Sequence, residues 1–297
     1  MKNAILALFL TLFSLASCGS KTPALRNTAT PHRIVSLAPS LTETLYALGA
    51  DSLLVGISQF CAWPDSVSKK PVVGGYLDPS IEQIISRSPD LILVLREHRS
   101  LQSTFIKAGL RSLMVTNSTL DELLASFDTI GALTHTQPRA DSIKAAILAE
   151  LPNDTAGPHP RVLICVGRAN PGVGTISGVF AAGRLTFLSD IVRRCGGTNV
   201  YADSAPVYPQ FSAEGIIRLA PEIVIDLTPS NTPIDTTACI RDWTSLSRIP
   251  AVSDSCVFAM SGSYASIPGP RATLTAHDIR AMIDHWKAHH NRHRETS

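Results

Sequence analysis

Two glutamates, Glu82 and Glu214, hold the same place in two copies of one sequence pattern. Pro79-Ser80-Ile81-Glu82-Gln83-Ile84-Ile85, then Pro89-Asp90-Leu91-Ile92-Leu93-Val94, returns 132 residues later. The second copy reads Phe211-Ser212-Ala213-Glu214-Gly215-Ile216-Ile217, then Pro221-Glu222-Ile223-Val224-Ile225. Serine is a favoured helix N-cap, so each Glu falls in a first helical turn. A carboxylate there interacts favourably with the helix dipole by ~0.3–1 kcal/mol. That accounts for each acid alone, but not for a matched pair half a chain apart. The chemistry such a pair offers is recognition of a two-fold, basic partner.

Other residues suit ligand contact. Phe60, Trp63, Tyr76, Tyr208 and Tyr264 all stand in loop-like stretches near Gly or Pro. Aromatics at loop tips give flat apolar faces to a planar ligand. Trp63, followed by Pro64, fits packing better; Tyr76, Tyr208 and Tyr264 fit ligand contact. Arg96, Arg168 and Arg271 each follow a strand or open a helix, within reach of an α/β sheet edge. There they suit carboxylates of a ligand, although each singly is more often a surface or structural arginine. His285, His289 and His293 are four apart and line one helical face, where a frayed, solvated terminus is the simpler reading than a metal site.

Signs of catalysis are thin. The chain has no GxSxG, HExxH, GxxxxGK[ST] or GxGxxG. Gly172 to Gly178 is glycine-rich but wrongly spaced for a dinucleotide loop, and reads as a flexible loop bordering a crevice. A secreted hydrolase and a ligand-free adhesion scaffold are the alternatives to a binding protein. Cys61, Cys165, Cys195, Cys239 and Cys256 contain no CxxC, so a zinc or redox motif is not indicated. An odd count leaves a thiol free, and a bridge within the second half is open on sequence alone.

Helix and strand signals alternate along the body, which predicts mostly parallel sheets in an α/β class. Arg33 to Leu37 is a strand. Ser40 with Glu43 three residues on reads as a capping box for the next helix. Leu91 to Leu95 is nearly all apolar, as in a strand covered on both faces. Asp121–Leu133 and Gln137–Leu151 have apolar residues three and four apart and read as helices. As one straight helix the second spans ~22 Å, a stiff connector that permits modest closure. The second half repeats the logic, from a strand at Arg161–Val166 to a closing helix at Thr273–His285. The expected order is a lobe over 32–133, a linking helix and connector over 134–157, a lobe over 158–290 and a disordered tail over 291–297. Two lobes with a repeated element suggest a clamp, each half with its own core.

Bulk properties agree. With 297 residues, 44% apolar and 17% charged, the chain has room for two ordinary domains. A net charge of +2 gives no reason to expect nucleic acid. Lys2 and the apolar Ala4–Leu15 read as a signal segment, too short to span a bilayer. Leu15-Ala16-Ser17-Cys18-Gly19 resembles a bacterial lipobox, which makes 1–18 a leader, Cys18 the lipidated residue and 19–31 a tether.

From about Arg33 to Trp286 the chain resembles the substrate-binding proteins of bacterial ABC importers for cobalamin, haem and iron-siderophores. The resemblance rests on several motifs in order. They are Arg33 to Ser40 with Thr42-Glu43, the Glu82 segment with Ser88 to Ile92, Cys195-Gly196-Gly197-Thr198-Asn199-Val200, the Glu214 segment, and Gly269-Pro270-Arg271. It implies two similar α/β lobes joined by one long helix, with the ligand in the cleft between them. It implies no cofactor and no catalysis. The partners are a permease dimer with its ATPase subunits, met by a monomeric, membrane-anchored protein. The docking acids of the family fall on Glu82 and Glu214. Its cobalamin-contacting aromatics fall on Phe60, Tyr76, Tyr208 and Tyr264, with Leu95 standing where an aromatic is expected. An iron-siderophore would use Arg96, Arg168 and Arg271, and haem an axial tyrosine. A corrinoid is placed first, an iron-siderophore second and haem third.

Overall fold

Apolar runs bounded by proline and glycine become the strands of two sheets. The computed structural model describes residues 30–151, 157–228 and 235–295, with side chains as far as 291. The first half contains β1 (Ile34–Ser36), α1 (Pro39–Ala47), β2 (Leu54–Ile57), α2 (Ile81–Ser86), β3 (Leu91–Val94), α3 (Gln102–Lys107) and β4 (Ser112–Met114). Its sheet is parallel throughout, in the order β2-β1-β3-β4. Then come α4 (Leu120–Thr134) and α5 (Gln137–Glu150). The second half contains β5 (Arg161–Gly167), β6 (Val179–Ala181), α6 (Phe187–Arg194), β7 (Thr198–Asn199), β8 (Gln210–Phe211) and α7 (Ala213–Leu219). It ends with β9 (Ile223–Leu227), α8 (Thr236–Asp242), α9 (Pro250–Ser253), β10 (Val257–Met260) and α10 (Ala272–Glu295). Its sheet runs β10-β9-β5-β6-β8, with β7 also on β5. The β10, β9, β5 and β7 pairings are parallel, whereas β6 and β8 pair antiparallel.

The sequence repeat is a structural repeat down to its hydrogen bonds. Ser80 and Ser212 cap α2 and α7 by accepting from Gln83 and Gly215 N–H, each at 3.2 Å. Both helices stop at a left-handed residue before proline, Ser88 (φ 46°) and Ala220 (φ 44°). Arg33 donates to the Arg87 and Ser88 carbonyls, and Arg161 to that of Leu219. Asp90 accepts the N–H groups of His32 and Arg33, and Glu222 that of Arg161. Each repeat unit is thereby splinted to the first strand of its own sheet.

Central strands bury both faces, as their unbroken apolar runs predict. The residues alternate between two cores. Val35, Ile92 and Val94 pack with Ile84 and Phe105 in a core private to the first lobe. Leu163, Cys165 and Val224 pack with Ile216 and Trp243 in one private to the second. The intervening residues, Ile34, Leu91, Leu93, Val162, Ile164, Ile223 and Ile225, all join one larger core. That core takes in Leu41 of α1, Leu123 and Phe127 of α4, Ile147 of α5, Ile191 of α6 and Ile283 of α10. The expectation of two self-contained cores is therefore corrected: the lobes share most of their interior.

The chain passes between the sheets through both α4 and α5. Lys144 and Gln137 of α5 reach back to Asp128 of α4, so the two helices lie antiparallel. α5 has the extent expected of the connecting helix. α10 continues to Glu295, five residues into the segment expected as a disordered tail.

Two local expectations are corrected. Ser40 does not cap α1: Pro39 occupies the first turn, the helix begins upstream, and Ala38 is the N-cap. Glu43 is free to turn elsewhere. Among the described residues no disulfide forms either: Cys61, Cys165, Cys195, Cys239 and Cys256 are all free thiols. The Cys195-Gly196-Gly197 motif serves packing instead. Gly196 ends α6 with φ 86°. A Cβ on Gly197 would stand 2.9 Å from Val192 and 3.0 Å from Val162, so only glycine fits the shared core there.

Candidate functional site

In a parallel α/β sheet, ligands collect beyond the carboxyl ends of the strands, where loops diverge. A cavity of about 340 Å³ sits there, open to solvent. Ala38 and Ser40 follow β1, Leu95 and Glu97 follow β3, Asn117 and Ser118 follow β4, and Ser266 to Pro268 follow β10. Phe60 and Tyr76 enter from the first lobe, and Phe187 and Tyr208 from the second. A neighbouring hollow of about 390 Å³ shares Phe187, Tyr208 and Ser266 and is otherwise walled mainly by Val166, Phe180, Leu188 and Leu227. The cleft is thus aromatic on both sides, and it lies between the lobes.

Each aromatic is held by its backbone. Tyr208 rides on an extension of the β6 edge: Gly183 N–H donates to the Val207 carbonyl at 2.8 Å, and Ala181 N–H to Pro209 at 2.9 Å. Its ring stays half exposed. Phe60 projects from a tight turn after β2, where Gln59 N–H reaches Gly74 and Cys61 N–H reaches Ser58. Its ring is 60% exposed, which is unusual for phenylalanine and leaves a flat apolar face bare. Tyr76 depends on the buried His98. Leu95 N–H donates to His98 Nδ1 at 3.0 Å, so the proton sits on Nε2, which donates to the Tyr76 carbonyl at 2.7 Å. The two rings meet edge to face at 5.0 Å. Burial, then the nearby Glu97 carboxylate and Tyr208, push the Tyr76 hydroxyl far above its ordinary range. Burial and then Glu97 also raise Tyr208.

The three arginines singled out by sequence are each matched to a carboxylate of the protein. Arg168 does not face the cleft. Its side chain is 1% exposed, and it pairs with Asp226 (Nε–Oδ2 2.8 Å) and Asp242 (Nη1–Oδ2 2.8 Å). Asp226 also accepts from Trp243 Nε1 at 2.9 Å. Asp242 accepts the N–H groups of Gly172 and Gly174, so the glycine-rich loop read as flexible is anchored at its base. Burial pushes the Asp242 carboxyl up, but those two N–H groups and Arg168 outweigh it and hold it below its ordinary value. Arg271 leaves the second lobe to meet Glu43 of α1 in a bidentate pair, Nε–Oε2 at 2.9 Å and Nη2–Oε1 at 2.5 Å. The Trp63 ring lies under its guanidinium at 5.2 Å. Arg96 is exposed and reaches Glu122 at 3.4 Å.

Tyr264 lies outside the main cavity. Its hydroxyl donates to Asp278 at 2.6 Å, and it borders a separate hollow with Phe258 and His285. Of the seven suspected contact residues, the fold therefore brings Phe60, Tyr76 and Tyr208 together and directs Arg168, Arg271 and Tyr264 to other partners. Among the described residues no group of His, Cys, Asp or Glu is placed to hold a metal. His285 packs its ring on Phe258 at 5.6 Å, while the side chain of His293 lies outside the described residues, as does Cys18.

Glu97, Asn117 and Phe187 line the cleft without having been singled out. The signal was present for the first two, since each stands three residues beyond a strand's carboxyl end. Asn117 is the hinge of the floor: its amide donates to Ser40 Oγ at 3.0 Å in the first lobe and to the Pro268 carbonyl at 3.1 Å in the second. Glu82 and Glu214 lie elsewhere, each exposed in the first turn of its helix and without an ion pair among the described residues. The backbone N–H of Glu214 and then the Ser212 hydroxyl hold the Glu214 carboxyl below its ordinary value.

Residues 34–261 match the family described as Periplasmic binding protein. A vitamin B12-binding protein of Pectobacterium atrosepticum is 27% identical over 271 residues, 87% of this chain and 91% of that protein. Among solved structures, the periplasmic vitamin B12 binding protein BtuF of Vibrio cholerae superposes with a TM-score of 0.73 at 23% identity, covering 87% of this chain and 98% of that one. The periplasmic heme-binding protein RhuT of Roseiflexus, in apo form, gives 0.70 at 21% identity over 87% and 99%. The fold is common to all of them. No helix among the described residues is long and apolar enough to cross a membrane. A cleft walled from two lobes suits the holding of a solute, and the chain belongs to the periplasmic binding protein family.

Proposed function

We propose that this protein captures a corrinoid, cobalamin or a close relative, and hands it to the permease of an ABC importer. The observation that carries the choice of ligand is the chemistry of the cavity wall. Among the described residues it has aromatic rings from both lobes, one carboxylate and no lysine, arginine or histidine. Haem brings carboxylates, and many ferric chelates are anions; either calls for cations in the wall. Arg168, Arg271 and Arg96 are the residues that would have supplied them, and each is paired with a carboxylate of the protein. A corrinoid is large, bears neutral amides and needs no counter-cation. A neutral ferric hydroxamate satisfies the same wall and is the second reading. Titration calorimetry with cobalamin, haemin and ferric siderophores tests the choice. Tight one-to-one binding of haemin or a ferric catecholate, with cobalamin inert, overturns it.

We further propose that Glu82 and Glu214 dock on basic residues of the permease, whose ATPase subunits drive release. Two exposed, unpaired carboxylates at repeat-related positions support this. In the same reading, residues 1–18 are a leader, Cys18 carries lipid, and 19–31 tether a monomer to the membrane. Labelling with a radioactive fatty acid, and its loss in Cys18→Ala, checks the anchor.

A further inference from the structure

Among the described residues the cavity wall contains one carboxylate, that of Glu97. It follows β3 by three residues, and Arg96 beside it turns away to Glu122. The Asn117 amide of the floor is already engaged, donating to both Ser40 and Pro268. Tyr76 from one lobe and Tyr208 from the other line the same cavity as Glu97. The fixed electrostatic character of the cleft is therefore that of an acceptor carrying negative charge. A ligand that displaces water here must bring N–H or O–H donors or positive charge, and a carboxylate on its rim meets repulsion with no compensating cation.

Resting on the corrinoid reading, we propose that Glu97 is a specificity-determining residue: it admits metal chelates whose periphery carries neutral amide donors and rejects the same chelates when an amide is replaced by a carboxylate. The test uses two pairs that differ only in that charge. One is cobalamin against its derivative with a single acetamide hydrolysed to the acid. The other is a neutral ferric trihydroxamate against a carboxylated analogue. Each is titrated calorimetrically into the wild-type protein, Glu97→Gln and Glu97→Lys. The wild type should prefer the neutral member by about tenfold, the scale of one unit-charge repulsion at close range in a half-wet cleft. Glu97→Gln should abolish the preference between the two members of a pair, and Glu97→Lys should invert it. Equal binding within whichever pair binds, or a preference that survives Glu97→Gln, overturns the proposal. Binding only of the ferric pair, with the preference intact, overturns the corrinoid reading and leaves the charge filter standing. Binding of neither pair overturns both.

Discussion

The ion pair between Glu43 and Arg271 invites a test because it joins the two lobes across 228 residues of sequence. Glu43 is 2% exposed and Arg271 12% exposed, and two charge-assisted hydrogen bonds connect them. Within a buried pair the attraction is large, but so is the penalty for taking both charges out of water. Burial is the largest influence on the Glu43 carboxyl and raises it above its ordinary value despite the opposing pull of Arg271. Removing one partner should thus be far worse than removing both. Glu43→Leu leaves a buried guanidinium without a counterion and should cost about 3–5 kcal/mol. At 2–4 °C per kcal/mol for a domain of this size, a loss of 3 kcal/mol lowers the melting temperature by about 6–12 °C. Arg271→Met should cost less, about 2 kcal/mol, because the abandoned carboxyl can take up a proton. The double variant should lie within about 1 kcal/mol of the wild type, since an apolar pair of similar volume fills the gap. Urea unfolding of the four proteins at one pH gives the coupling energy directly. Single losses that simply add in the double variant would show that the two side chains act independently, and the reasoning would fall.

Two buried carboxylates should respond to pH with opposite signs. Glu43 has a raised folded value, so its contribution is complete below about 4.5 and lost as pH rises through that folded value. Asp242 has a lowered folded value, so its contribution is present above about 3.8 and lost as pH falls through the folded value. Stability curves of Glu43→Gln and Asp242→Asn, each subtracted from the wild type, should slope in opposite directions. In the cleft, Tyr208→Ala and Phe60→Ala should each weaken ligand binding by about tenfold while leaving the melting temperature nearly unchanged, because both rings are largely exposed. His98→Ala should also weaken binding, through a displaced Tyr76, and should lower stability as well, since its ring is buried. The double change Glu82→Ala with Glu214→Ala should leave calorimetric affinity intact and reduce uptake by cells. Unchanged uptake would reduce the two acids to partners of their helix dipoles.

The sequence made the fold legible where patterns were local. The repeat located α2, β3, α7 and β9, and the unbroken apolar runs marked strands covered on both faces. The cleft was legible in part. Phe60, Tyr76 and Tyr208 stood out because aromatics near glycine and proline seldom belong to a core. The arginines were visible by type, and their partners were not. Asp226 and Glu43 lie 58 and 228 residues from Arg168 and Arg271. No short-range pattern reports a pairing closed by tertiary structure. The capping box at Ser40 failed for a local reason, since Pro39 starts the helix earlier. Glu97 was missed because a lone acid in a polar loop has the look of solvated surface until the strand before it is placed.

The strands of this protein turn alternate side chains toward two different owners. Ile34 serves both halves of the molecule and Val35 only one. A half cannot therefore be transplanted between relatives as a self-sufficient module. A chimera joined at α5 would inherit odd and even positions selected against different neighbours, and every second residue of β1, β3, β5 and β9 would meet a stranger. The graft that works has to carry those inner residues, with the facing ones on α4 and α10, as a single hereditary set.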